Sequence, residues 1–473
     1  MVRPLRRERR PPEAAAPKNP NKVSPKAAAA AAAKTWPARS RDWTLLGLWL
    51  LILLPPFVFI TESTDNFRLP KLWWSETLAG IALALLAFRL AKVERVEGSA
   101  AWRRLRGEPA ILALAPLLLL ATVSALFTAH ADRTALALGS FWMAAIFLAG
   151  LTLALRPEER DGLLRLMCWP ASLLALLAIV QFHDLVQPFG FARELTDRLL
   201  LTSLAGGAFD LSGYLLLPAL FALRELCRAR DRRGLIVWGM STALFVYGIA
   251  ISQTLTVLIG FLAACPVLAY FCLRRYFWRL AGGLAALAVV LVLVVAPLRG
   301  RVVHAARAIA DQDYNQLLSG RLDGWRVAAR MVGDHPLGGV GHGAFRSEFG
   351  DTKIELTGEG VQFFLGHRGA YFTNAHNDFL EAGAELGWPG LLAAVWGAVL
   401  VFRQAFRRKK AGAPAERVGL ELAMLVAMSL VALANFPFHV ALIAYPWLIF
   451  LAGVLAEVPA AIEAREEGEE APA

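Results

Sequence analysis

The chain is dominated by long uninterrupted apolar runs, each close to the roughly 20 residues a helix needs to cross a bilayer. They fall at Trp43–Ile60, Trp74–Leu90, Ala110–Thr128, Thr134–Leu155, Leu163–Phe182, Phe209–Arg224, Leu235–Ser252, Leu255–Leu273, Leu280–Leu298, Gly387–Phe406, Val418–Phe436 and Val440–Val458. Of the 473 residues, 57% are hydrophobic and 18% are charged. A soluble domain is about 45–50% apolar and 25% charged. A single core stops growing near 250–300 residues, so this excess has no globular interior to occupy. A soluble enzyme, a secreted disulfide scaffold and a disordered chain are excluded. The expected fold is all-α: a polytopic membrane bundle of about twelve transmembrane helices.

A net charge of +11 would point to nucleic acid in a soluble protein. Here the Lys and Arg gather in alternate loops: KVERVEGSAAWRRLRGE, RPEER, RELCRARDRR, RRYFWR and FRRKK. Cytoplasmic loops carry such an excess, so the partner is the lipid bilayer, not nucleic acid. Residues 1–41 are a basic, alanine-rich, low-complexity tail, expected to be disordered, cytoplasmic and not a cleavable signal peptide. The acidic residues 459–473 form a second cytoplasmic tail. Cys168, Cys227, Cys265 and Cys272 contain no CxxC pair and suggest neither a disulfide framework nor zinc. The expected organisation is residues 42–298 as spans one to nine, 299–386 as a large outer loop, and 387–458 as the last three spans.

The loop Arg299–Leu386 is the exception to short connections, and loops of this length usually carry function. GRLDGWRVAARMVGDH has helical spacing, with Leu322, Trp325 and Ala329 on one face. A second helix is expected to start at the polar cap types Asn377 or Asp378 and to stop at Gly387, before Pro389. Between them HPLGGVGHGAF reads as a glycine-rich turn, with Gly338, Gly339, Gly341 and Gly343. All 8 histidines fall on the expected outer side. His304, His335, His342, His367 and His376 are in the loop, and His130, His183 and His439 sit at outer ends of spans. Histidine is the usual proton-transferring side chain near neutral pH.

The segment from Ser319 to Pro389 reads SGRLDGWRVAARMVGDHPLGGVGHGAFRSEF, then TNAHNDFLEAGAELGWPG. An Arg–Trp helix, HPLGGVG, and AHNDFLEAGAELGWPG entering a span, in that order, resemble the O-antigen ligase and polymerase superfamily. The resemblance implies glycosyl transfer at the periplasmic face of the bacterial inner membrane. The donor would be a glycan on undecaprenyl diphosphate. The acceptor hydroxyl would belong to lipid A–core in a ligase, to another lipid-linked glycan in a polymerase, or to a protein Ser or Thr. The ligase pattern implies no metal and no cofactor.

Arg321 matches the family's loop arginine and His376 its histidine, which makes these two the candidate catalytic residues. A planar guanidinium suits a diphosphate leaving group, binding it in a bidentate way and stabilising its growing charge. A neutral imidazole can accept the acceptor hydroxyl's proton or orient that hydroxyl. Candidate substrate-binding residues are Arg198, Arg326, Gly341, Asn377 and Asp378. For Asn377 and Asp378 helix capping competes with that role, and for Gly341 a tight turn competes with phosphate cradling.

The sequence departs from the family where the seventh span turns into the eighth. A Ser–Arg pair is usual there, whereas this chain reads Ser252, Gln253, Thr254. The second diphosphate-binding cation is then expected from Arg198, or from Arg68 and Lys71 in DNFRLPK. A rival class is a transporter or flippase of lipid-linked oligosaccharide. Transporters commonly show repeated halves and ionisable groups near the bilayer midplane, and neither is evident here.

Overall fold

In a computed structural model of the chain, residues 43–60, 65–97, 109–155, 157–185, 203–274, 277–318, 320–364 and 372–456 are described. The two tails, Arg198 and His367 lie outside them. Every regular element among the described residues is helical. Sixteen α-helices follow in order: α1 Leu46–Leu53, α2 Arg68–Glu97, α3 Pro109–Ser124, α4 Ala131–Ala154, α5 Pro157–Phe182, α6 Ala208–Arg228, α7 Arg232–Ile251 and α8 Leu255–Cys272. Then come α9 Phe277–Val294, α10 Ala296–Ala310, α11 Tyr314–Leu317, α12 Arg321–Asp334, α13 Phe345–Gly358, α14 Asp378–Lys410, α15 Ala415–Ala432 and α16 Ala441–Leu455.

A helix occupies each of the twelve apolar stretches. Among the described residues, six helices are long and apolar enough to cross a membrane: α2, α4, α5, α7, α8 and α14. Shorter apolar helices cover Trp43–Phe57, Leu114–Ser124 and Ala441–Leu455. Large apolar side chains such as Trp169 and Trp278 stand fully outward, 72% and 83% exposed, which suits helices solvated by lipid on one side.

Close packing in the bundle relies on small residues, as expected where lipid supplies no hydrophobic drive between helices. On α8, a Cβ at Gly260 would lie 2.9 Å from the Ala427 carbonyl oxygen of α15. On α15, a Cβ at Gly419 would lie 2.5 Å from Phe271 of α8. The pair can therefore approach at both ends.

One end of the bundle is fastened by charge. Arg160 and Glu421, both fully buried, pair at 3.0 Å. Arg224 pairs with Glu225 at 2.7 Å and with Asp161 at 3.2 Å, and Arg408 reaches Glu421 at 3.3 Å. This network joins α5, α6, α14 and α15 at the end that carries the basic loops. The candidate site lies at the other end.

The long loop builds a small core of its own from Val327, Ala328, Met331, Val332, Phe345, Phe349, Ala375 and Ala384. The helix expected from GRLDGWRVAARMVGDH is α12, but its inner face is set one position away from the expected one. Gly324, Val327, Ala328 and Met331 are buried, whereas Ala329 is exposed. The cause is a main-chain contact: a Cβ at Gly324 would lie 3.1 Å from the Ala375 carbonyl oxygen. The second expected helix starts as read, with Asn377 Oδ1 accepting from the Phe379 and Leu380 amides at 3.1 and 3.0 Å. At Gly387 the helical path breaks (φ 70°) and a second helical run continues to Lys410.

Candidate active site

Five helices begin at the same end of the bundle, at Arg68, Ala208, Leu255, Arg321 and Asp378. The Asn435–His439 turn between α15 and α16 lies among them. Helix starts expose unsatisfied N–H groups and the positive end of the helix dipole, a setting that favours anions. Side chains from these starts make one connected cluster.

Arg321 follows Gly320, which takes a left-handed conformation (φ 81°). Its guanidinium donates to the Leu318 carbonyl at 3.2 Å and to Asn435 Oδ1 at 3.3 Å. Its Nε is buried without a hydrogen-bond partner among the described residues, and no described carboxylate pairs with the group. Burial pushes its pKa down to about 10, and the nearby Arg301 cation acts in the same direction. It stays charged at neutral pH. Asn435 in turn donates through Nδ2 to Thr256 Oγ1 at the start of α8. The first turn of α8, which follows the Ser252–Thr254 turn where the sequence lacks the expected arginine, is thereby tied to Arg321 through one side chain.

His376 takes a positive φ of 55° in the turn before α14. Trp325 Nε1 donates to its carbonyl at 3.3 Å, so α12 sets the height of that turn. The imidazole meets Phe436 edge to face at 4.7 Å and Phe372 at 5.4 Å. Because Phe436 follows Asn435, Arg321 and His376 rest on adjacent residues of one turn.

Arg68 comes to the same ring, with its guanidinium 5.3 Å from the Phe436 centroid. It binds Asp210 in a bidentate way at 2.8 and 2.7 Å; the carboxylate is buried and the guanidinium is 40% exposed. Of the substitutes that the sequence offered, Arg68 is therefore at the site. Lys71 is not free for a ligand: its ammonium donates to the Val58 and Pro56 carbonyls.

The other candidates separate by what they touch. Arg326 donates to the Gln362 carbonyl at 2.7 Å. Arg330, one turn on, pairs with Asp334 at 2.7 Å and Glu359 at 3.0 Å in an exposed ion-pair group. The Gly341 amide donates to the Glu385 carbonyl at 2.9 Å, which fits the turn reading. Gly339 (φ 63°) presses onto α14 so tightly that a Cβ would lie 2.1 Å from the Glu385 carbonyl carbon. Asn377 is the helix cap described above, and Asp378 pairs with His439 at 3.1 Å.

Sequence reasoning missed an acidic row at Asp378, Glu381 and Glu385, one face of α14 at i, i+3 and i+7. Glu381 accepts from the Ala375 amide at 2.7 Å and from Asn374 Nδ2 at 2.9 Å. Glu385 pairs with His342 at 3.0 Å. The helical spacing was readable; the histidine partners were not, since they come from separate turns. This row lines the polar end of a cavity of about 340 Å³ whose walls, including Leu117, Leu148, Val401 and Trp447, are apolar.

Residues 240–395 match the family described as O-Antigen ligase (Wzy_C). No curated protein matches the chain. The matched stretch is about a third of the sequence, and it contains Ser319–Pro389, which bears out the resemblance seen there. Arg321, Arg326, Gly341, His376, Asn377 and Asp378 fall inside it, whereas Arg68, Asp210, Asn435, Phe436 and His439 fall outside. That family's chemistry is membrane glycan transfer of the O-antigen ligase and polymerase type.

Proposed function

We propose that this protein transfers a glycan from undecaprenyl diphosphate to a hydroxyl acceptor, as an O-antigen ligase does, without a metal. It would do so at the periplasmic face of the bacterial inner membrane, with about twelve spans, both tails cytoplasmic and residues 299–386 outside. The observation that carries this reading is Arg321: a half-buried guanidinium with no described carboxylate beside it. An unpaired buried charge is costly, and an arriving diphosphate would offset that cost.

In the proposed reaction His376 accepts the proton of the acceptor hydroxyl. The hydroxyl oxygen forms the new bond to the anomeric carbon as the glycosidic bond to the diphosphate breaks. Undecaprenyl diphosphate leaves with the electron pair, its charge held by Arg321 and Arg68. Arg326 would stand one turn further along the same helix, toward the glycan. Asn377 and Asp378 act by fixing the turn that presents His376.

The glycan profile of a deletion strain tests this reading. Free lipid A–core together with accumulated lipid-linked polymer is the expected result. Single repeat units on the core would identify a polymerase, and an unchanged glycan profile would overturn glycan transfer altogether.

A further inference from the structure

His439 lies outside the family match, in the turn that carries Asn435 and Phe436. Its Nδ1 is 3.1 Å from Asp378 Oδ1 and its Nε2 is 3.3 Å from Glu381 Oε1. The Nδ1 contact is a hydrogen bond, and Nε2 stands at ion-pair distance from Glu381; an imidazolium, which donates from both ring nitrogens, serves two ionised acids at once. The two acids sit on the first turns of α14. Through Glu381 they hold the Asn374 side chain and the Ala375 amide, immediately before His376.

We propose that His439 is a positioning residue, a cationic staple that fixes the turn bearing Asn435 and Phe436 against the start of α14. It touches neither reacting group. It keeps Phe436 against the His376 ring and Asn435 within reach of Arg321, so that the two halves of the site stay in register. Burial alone would lower the pKa of the imidazole, but Glu381 and Asp378 outweigh it and push it up to about 10. The contact with Asp378 is thus closed throughout the neutral range, and the contact with Glu381, whose carboxyl burial pushes up to about 7, tightens as that acid ionises. The other charged groups facing the pair are Glu385, one turn further along α14, and its partner His342.

The kinetic arm of the test rests on the glycan-transfer reading above; the stability arm does not. His439→Gln removes the cation and leaves two carboxylates facing each other, whose mutual repulsion raises their pKa values. At low pH one protonated acid can bridge to the other, and as pH rises both ionise and the turn is pushed away. The Gln variant should therefore lose between about tenfold and a hundredfold in kcat, the range that a small displacement of a reacting group produces. Its loss should deepen from about pH 6 to about pH 9. His439→Arg, whose planar fork can donate to both acids, should restore most of the rate and a flat profile.

Unfolding midpoints of the parent and both variants in detergent, taken over the same pH range, read the staple without any substrate. The Gln variant should fall increasingly below the Arg variant as pH rises. A Gln variant within twofold of the parent in rate, or equal losses and parallel pH profiles for Gln and Arg, would overturn the staple. If the parent transfers no glycan, the proposed function fails, and the pH dependence of the midpoints still decides the role of His439.

Discussion

Arg321 and Asn435, 114 positions apart in sequence, share one hydrogen bond of 3.3 Å. It is the link between the loop helix α12 and the turn before the last helix, and it leaves the guanidinium's charge uncompensated. Asn435→Asp would compensate it. The aspartate should pair with Arg321 and compete with an anionic donor, raising the donor KM by about tenfold or more, whereas Asn435→Ala should raise it less. Donor titrations of reconstituted enzyme give the comparison, and an Asp variant with parental donor affinity would remove Arg321 from diphosphate binding.

Arg321→Lys and His376→Ala should fail differently. Lysine keeps a charge but loses the planar fork, so donor affinity and turnover should both fall. Because the site lowers the pKa of a resident cation, and lysine starts lower than arginine, donor binding by this variant should weaken as pH rises through about 8–10. The parent, held at about 10, should keep its affinity to higher pH. His376→Ala should leave donor binding intact and lower kcat by about 10²–10⁴-fold. Full activity in the alanine variant would assign His376 to shaping the turn alone.

Asp210 is buried and its partner Arg68 is partly exposed, so the two should respond unequally to substitution. Arg68→Gln leaves a buried carboxylate without its cation and should cost about 1–3 kcal/mol of stability, less than a fully buried pair because the guanidinium meets solvent. Replacing both, Arg68→Gln with Asp210→Asn, should recover part of that loss but not the donor affinity. Thermal unfolding and donor titration on the same preparations separate the two effects.

Sidedness follows from the basic loops. Reporter fusions at Gly360 and Lys410 should give opposite signals, outside and inside respectively. Matching signals would overturn the proposed orientation.

The helical runs, the long connection and the nearness of Arg321 to His376 left local marks in the sequence: an apolar run, a cap at Asn377, a motif. The rest of the site is non-local. Arg68 was open to reading as a substitute cation, but its partner Asp210 lies 142 positions away and reads as an ordinary polar residue near the end of a span. His439 read only as one of three histidines at outer ends of spans, and Glu381 only as a letter of the AHNDFLEAGAELGWPG motif. The inner face of α12 was misread for a related reason. Gly324 packs against a backbone carbonyl, and no side-chain pattern records a main-chain contact.

The same kind of contact decides how a substrate can reach the site. The HPLGGVG turn is sewn to α14 on both sides of Gly387: Val340 to Ala384 at 3.0 Å, Gly341 to Glu385 at 2.9 Å and Trp388 to Pro336 at 2.8 Å. Swinging this part of the loop outward as a door would break all three main-chain bonds at once, each worth about 0.5–1.5 kcal/mol net and more while left unmade. The turn and the helix therefore move as one body. On the proposed function, a lipid-borne donor would then enter sideways from the bilayer, between helices, while this turn stays in place.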